Sequence, residues 1–264
     1  MPNTTDNFDI PFLDGTELVR DYPTFSEDLA NAVDAGLSGD AGPVPFYRYV
    51  TTIYFTSSGT FTKASFPWLR AIRVRCQGGG GAGGGAATTD ASRISVGSGG
   101  SGGNYAESFI TDIAGLDASV TVTRGGGGGG VSGQAGNPGE ESSFGSLVRA
   151  PGGGGGIRSG SATFTLAVAG GASPSDLGIS DLEIRGGSGN VALFSAFDLD
   201  RGVSAIGGGS VLGGAGAGRN SAADGFGGVG FGGGGGGALN PRSNSTARSG
   251  GAGANGIVIV DLFA

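Results

Sequence analysis

The chain has no histidine, one cysteine and one lysine among its 264 residues. Without histidine, Ser-His-Asp and Cys-His catalysis are excluded, along with the commonest transition-metal ligand. Cys76 stands alone, so neither an intramolecular disulfide nor a thiolate zinc cluster can form, and stability must come from packing or assembly. The residue itself reads as a small buried hydrophobe. Lys63 is the single lysine, and 15 basic residues against 22 acidic ones give a formal charge of -7. No basic stripe is present to neutralise phosphates, so no nucleic-acid partner is expected. No apolar run approaches the roughly 18 residues of a membrane span, and MPNTTDNFDI has neither the positive nor the apolar region of a secretory signal. The expectation is a protein made in a cytoplasm, with no membrane insertion.

What abounds is glycine, with 62 residues against a usual share of about 7%. Phe, Ile, Leu and Val are scattered between the glycine runs, which argues against a purely disordered chain.

Residues 1–45 are polar, acidic and low in glycine. Within them TFSEDLANAVDAGLSGD predicts a short helix: Thr24 and Glu27 fit a capping box, Asp28 sits in the positive first turn, and Gly36 or Gly39 ends it. Phe25, Leu29, Val33 and Leu37 recur at four-residue spacing and form one apolar stripe. So short a helix is marginal alone. Its stripe needs a partner, either the rest of the chain or copies of itself. Pro43 and Pro45 then mark an extended linker.

From residue 46 to 264, short β segments alternate with glycine runs. RAIRVRC places Ile72, Val74 and Cys76 on one face and Arg73 and Arg75 on the other; Val120 and Val122 alternate likewise, as do Phe164, Leu166 and Val168. The segment Ile257–Phe263 is apolar on both faces and reads as a central strand. The expected fold is mainly β: a short N-terminal helix, then a glycine-rich, β-sandwich-like body with packed polyglycine segments.

The runs Gly78–Gly81, Gly125–Gly130, Gly152–Gly156 and Gly232–Gly237 lack the strict every-third-residue period of collagen. They are either flexible loops or extended three-residue-per-turn helices that hydrogen-bond sideways to one another. Most begin directly after a strand, and they are numerous enough to be mutual partners, which favours the packed form.

Other motifs have plainer readings. GSGGSG at Gly97–Gly102 matches a dinucleotide fingerprint, but GNYAESF after it does not open a helix. Carboxylate pairs, such as Glu140 with Glu141 and Asp198 with Asp200, are the only catalytic option left, and NPGEE reads as a solvated turn. FDLDRG lacks the later ligands of a calcium loop, and GGSGNVALF has Val191 where a β-roll repeat needs Asp. No enzymatic activity and no cofactor are expected.

FTSSGTFTKASFPWLRAIRVRCQGGGGAGGG, GGNYAESF, SVTVTRGGGGGG, SSFGSLVRAPGGGGG, DLEIRGGSGN, FGGGGGG and GANGIVIVDLF follow one another in that order. Together they resemble the glycine-rich domain of bacteriophage tail fibres and tail-tip proteins over residues 50–264. NFDIPFLDGTELVRDYPTFSEDLANAVDAGL is similar to the opening of minor tail proteins of siphophages infecting actinobacteria. The resemblance implies a virion component, trimeric in many relatives, with its N-terminus toward the tail and the glycine-rich body outward. Expected partners are other tail proteins, further copies of the chain and a host surface glycan or protein.

Two functions fit. One is an adhesin whose non-glycine loops AGRNSAADGF and ALNPRSNSTARS touch a receptor, with Arg219, Asn220, Asn240, Arg242, Asn244 and Arg248 as candidate contacts. The other is an architectural tail subunit that leaves recognition to a neighbour.

Overall fold

The structure, a computed structural model, describes residues 47–159, 166–194 and 202–264, with two short strands before them. The chain divides into two units, Met1–Arg48 and Tyr49–Ala264. In the first, Asn3–Thr4 pairs antiparallel with Pro11–Phe12. The expected helix and its stripe, Phe25, Leu29, Val33 and Leu37, lie outside the described residues, as do Phe164, Asp198 and Asp200.

The second unit is mainly β. Among the described residues it has no α-helix, only a single 3-10 turn at Lys63–Ser65. Its principal strands are β1 Tyr49–Phe55, β2 Gly59–Thr62, β3 Ala71–Gln77, β4 Tyr105–Ile110, β5 Ser119–Thr123, β6 Ser142–Phe144, β7 Val148–Ala150, β8 Leu182–Ile184 and β9 Ile257–Phe263, and burial alternates with period two most clearly in β3, β5, β6 and β7. They form two antiparallel sheets, ordered β8-β4-β3-β9-β1 and β7-β6-β5-β2. As its two apolar faces required, β9 is central: Val260 faces Ile53 on one side and Val74 on the other.

The inner faces of the sheets meet in one core. Ile72, Val74, Cys76, Val258, Val260 and Leu262 come from the first sheet, and Phe61, Val120, Val122, Phe144 and Val148 from the second. Phe61 and Phe144 pack with ring centroids 5.5 Å apart. On the outer face of the first sheet, Asp261 is buried beneath Arg73 and Arg75.

The glycine runs continue these strands. Beyond β3, the N–H groups of residues 78–86 donate to three other segments in rotation. Gly78, Gly81 and Gly84 reach the carbonyls of Asn104, Ser101 and Ser98. Gly79, Ala82 and Gly85 reach Glu140, Asn137 and Gln134. Gly80, Gly83 and Ala86 reach Ala254, Gly251 and Arg248. All nine bonds measure 2.7 to 2.9 Å. A partner that recurs every third residue defines the three-residue turn of the polyglycine form.

The carbonyls of this run point to three further segments, receiving Gly128 N–H at Gly80, Gly153 and Gly156 at Gly79 and Ala82, and Gly235 and Ala238 at Gly81 and Gly84. It is therefore enclosed on every side by backbone. Residues 97–104 have the same arrangement, donating at three-residue spacing to 238, 235 and 232, to 157, 154 and 151, and to 190 and 187.

Glycine is needed here for room. Among the described residues the only glycines with positive φ are Gly133, Gly145, Gly178, Gly230 and Gly232, so the run interiors have backbone angles open to other residues. A Cβ at Gly79, Gly80 or Gly81, however, would lie 2.1 Å from the carbonyl oxygen of Gly126, Gly233 or Gly154. The close approach that permits lateral hydrogen bonding leaves no space for a side chain.

Such an array does not stabilise itself. Ordering a glycine costs about 1–2 kcal/mol, and a backbone hydrogen bond returns about 1 kcal/mol net. Side chains hold it at both ends. At one end is the sheet core, and at the other a second cluster of Ile94, Val96, Val168, Ala192, Phe194, Ala205 and Leu239. Nine residues, 97–105, run from Val96 of the second cluster to Ala106 of the first.

Candidate functional site: a loop cluster at one end of the glycine array

The body has two unlike ends. Tyr49, where the chain enters β1, pairs with Phe263, the last residue of β9, at the far end of the sheets from the array. Among the described residues the opposite end, beyond the second cluster, is built from the segments 86–93, 219–224 and 240–249, which contain no glycine.

Backbone pairing brings these segments together. Arg248 and Ala86 exchange hydrogen bonds of 2.8 and 2.9 Å, Ala223 bridges Leu239, and Ser249 N–H donates to Asp224 Oδ1 at 2.9 Å. Thr89 ties two of the loops: its N–H donates to the Asn244 carbonyl at 2.8 Å, its hydroxyl donates to the Pro241 carbonyl at 2.5 Å, and Asn244 N–H donates to that hydroxyl at 3.0 Å. Ser243 has a φ of 59° and donates its N–H to the Asp90 carbonyl at 2.8 Å. For a serine this is a strained backbone, held by the surrounding bonds.

All six sequence-nominated residues fall in this cluster, in different roles. Asn220 and Arg242 are exposed, and Asn244 is half-buried. Arg219 is half-buried; its guanidinium carbon lies 3.4 Å from the Phe226 ring centre and its Nε donates to the Asp224 carbonyl at 2.6 Å. Arg248 is half-buried, with its backbone in the bridge to Ala86. Asn240 departs from the expected surface position: it is fully buried, and its Nδ2 donates to the carbonyls of Ala87 and Thr246 at 2.9 and 2.8 Å. It braces the loops from within.

Sequence reasoning passed over segment 86–93. Its Thr88, Thr89, Asp90 and Arg93, with Ser245 from the facing loop, line a recess of about 480 Å³. The signal was available: TTDASR interrupts the glycine runs as the other two loops do. Asp90 Oδ1 accepts from the Ser92 N–H and hydroxyl, both at 2.9 Å, and these bonds, with Arg93 nearby, hold the carboxyl below its ordinary range.

The other motifs have structural roles. In GSGGSG, Ser98 and Ser101 stand three residues apart and so face one neighbour, where their hydroxyls accept from Ile157 N–H at 2.8 Å and Gly154 N–H at 2.6 Å. Glu140 Oε2 accepts from Gly126 N–H at 3.0 Å, and Glu141 pairs with Arg149 at 2.6 Å.

These features define a class: a mainly β body whose sheets run on into a hydrogen-bonded array of glycine segments. The chain belongs to the glycine-rich domain family, whose pattern matches residues 56–263. A comparison with curated proteins finds no significant match.

Proposed function

We propose that the protein is a bacteriophage tail fibre or minor tail protein, a non-enzymatic virion component that attaches to the host cell surface. The observation that carries this reading is the polarity of the body. The chain enters at the far end of the sheets, while polar loops crowd the opposite end of a hydrogen-bonded array. An attachment protein needs that division, with one end for neighbours in the tail and the other for a receptor. The resemblance of residues 7–37 to the opening of minor tail proteins supports the assignment of the N-terminal end to the tail. On this reading the partners are other tail proteins, further copies of the chain in a homotrimer, and a host surface glycan or protein. The protein then resides in the virion after synthesis in the host cytoplasm.

The test is binding of fluorescently labelled protein to a panel of actinobacterial cells. Saturable labelling that excess unlabelled protein blocks is the expected result. Incorporation into tails without any cell binding favours a purely architectural subunit instead.

A further inference from the structure

The recess between segments 86–93 and 240–248 presents a particular set of polar groups. Asp90 and Arg93 lie side by side, with carboxylate Oδ2 and guanidinium Nε 3.4 Å apart, and both side chains are more than half exposed. That separation exceeds an ordinary hydrogen bond, so Asp90 Oδ2 retains acceptor capacity. Among the described residues, the terminal nitrogens of Arg93 and the hydroxyl of exposed Ser245 make no hydrogen bond to protein.

We propose that this recess is a saccharide subsite, in which Asp90, Arg93 and Ser245 bind the hydroxyls of a neutral sugar; its biological role rests on the attachment reading above. A sugar hydroxyl both donates and accepts, so neighbouring hydroxyls satisfy an adjacent acceptor and donor at once. An anionic ligand meets the carboxylate of Asp90, and a cationic one meets Arg93. A neutral, hydroxyl-rich ligand meets neither penalty.

The walls are already in place. Thr89, Asn240 and Ser243 fasten the two loops through the carbonyls of Pro241, Ala87, Thr246 and Asp90. Binding therefore requires little loop ordering, which otherwise reduces affinity. The recess is open to solvent, and its lining of Thr88, Thr89, Asp90, Arg93 and Ser245 is polar throughout. No aromatic ring lines it to stack on a sugar face. A single site is accordingly weak, in the millimolar range, and useful attachment relies on several copies acting together.

The experiment is saturation-transfer NMR and calorimetry on the full-length protein with glucose, galactose, mannose, rhamnose and N-acetylglucosamine, using glucuronate and glucosamine as charged comparisons. At least one neutral sugar should bind saturably, the charged ones more weakly. Asp90→Asn and Arg93→Gln should each weaken binding by about tenfold, with at most a small change in melting temperature because both side chains are exposed. The proposal is overturned if no neutral sugar binds, or if binding survives both substitutions. The cell assay separates the two readings. Cell binding unaffected by Asp90→Asn refutes the recess and leaves attachment standing, whereas sugar binding in the recess without cell binding refutes attachment alone.

Discussion

Asp261 lies directly opposite Arg73 in the pairing of β9 with β3, and the Arg73 Nε donates to its Oδ2 at 2.8 Å. On the other flank Thr52 donates its hydroxyl to Oδ1 at 2.6 Å, while Arg75, on β3 like Arg73, reaches both oxygens at 3.0 Å. Burial alone would raise the Asp261 pKa, but the bonds from Thr52 and Arg73 and the charges of the two arginines outweigh it and the net direction is down. A depressed folded-state pKa contributes stability that is complete above the unfolded aspartate value of about 3.9 and is lost as pH falls through the folded value. Asp261→Asn should cost roughly 2–3 kcal/mol at pH 7, and denaturant titrations should show the gap to the parent narrowing below about pH 4. A gap independent of pH would contradict the assignment.

Cys76 is fully buried in the sheet core, and burial pushes its thiol well above the ordinary range. Ellman's reagent should therefore find no reactive thiol in the native protein and one per chain in denaturant.

Asn240 should matter to the loops more than to any ligand directly. Asn240→Ala removes the donors to Ala87 and Thr246 and should lower stability by about 1–2 kcal/mol. Hydrogen exchange should rise in segments 86–93 and 240–248 while the sheets keep their protection.

The trimer expected of the functional particle is tested by light scattering. A mass near three times the 25.4 kDa chain is the predicted result, and a stable monomer at micromolar concentration would contradict it for the isolated protein.

Some strands were legible because they carry their period openly: Ile72, Val74 and Cys76 point inward as the alternation required, as do Val120 and Val122, and Ile257–Phe263 is flanked on both sides, whereas Tyr49–Phe55 and Leu182–Ile184 display no such period. The glycine array was legible only as one of two alternatives. Glycine has no side chain to display a period, and the register resides in backbone hydrogen bonds. The exception was GSGGSG, whose two serines three residues apart report the turn. Asn240 was misplaced because composition does not say which polar residue of a loop faces inward, and that was decided by the carbonyls of Ala87 and Thr246. Segment 86–93 was missed because it lies about 150 residues from the loop it faces, and only tertiary pairing brings the two together, through the antiparallel bridge of Ala86 with Arg248 and the bonds of Thr89, Asn240 and Ser243.

The most direct test compares two glycines of one run. A Cβ at Gly127 would lie 2.1 Å from the Gly253 carbonyl oxygen, whereas at Gly129 its nearest neighbour is Asn137 Nδ2 at 3.7 Å. Neither has positive φ. If the array is a packed core, Gly127→Ala should lower the melting temperature by roughly 5 °C or more, while Gly129→Ala leaves it unchanged or slightly raised through a less flexible unfolded chain. Melting temperatures unchanged or raised in both variants would mean that the runs are loops, and would contradict the array.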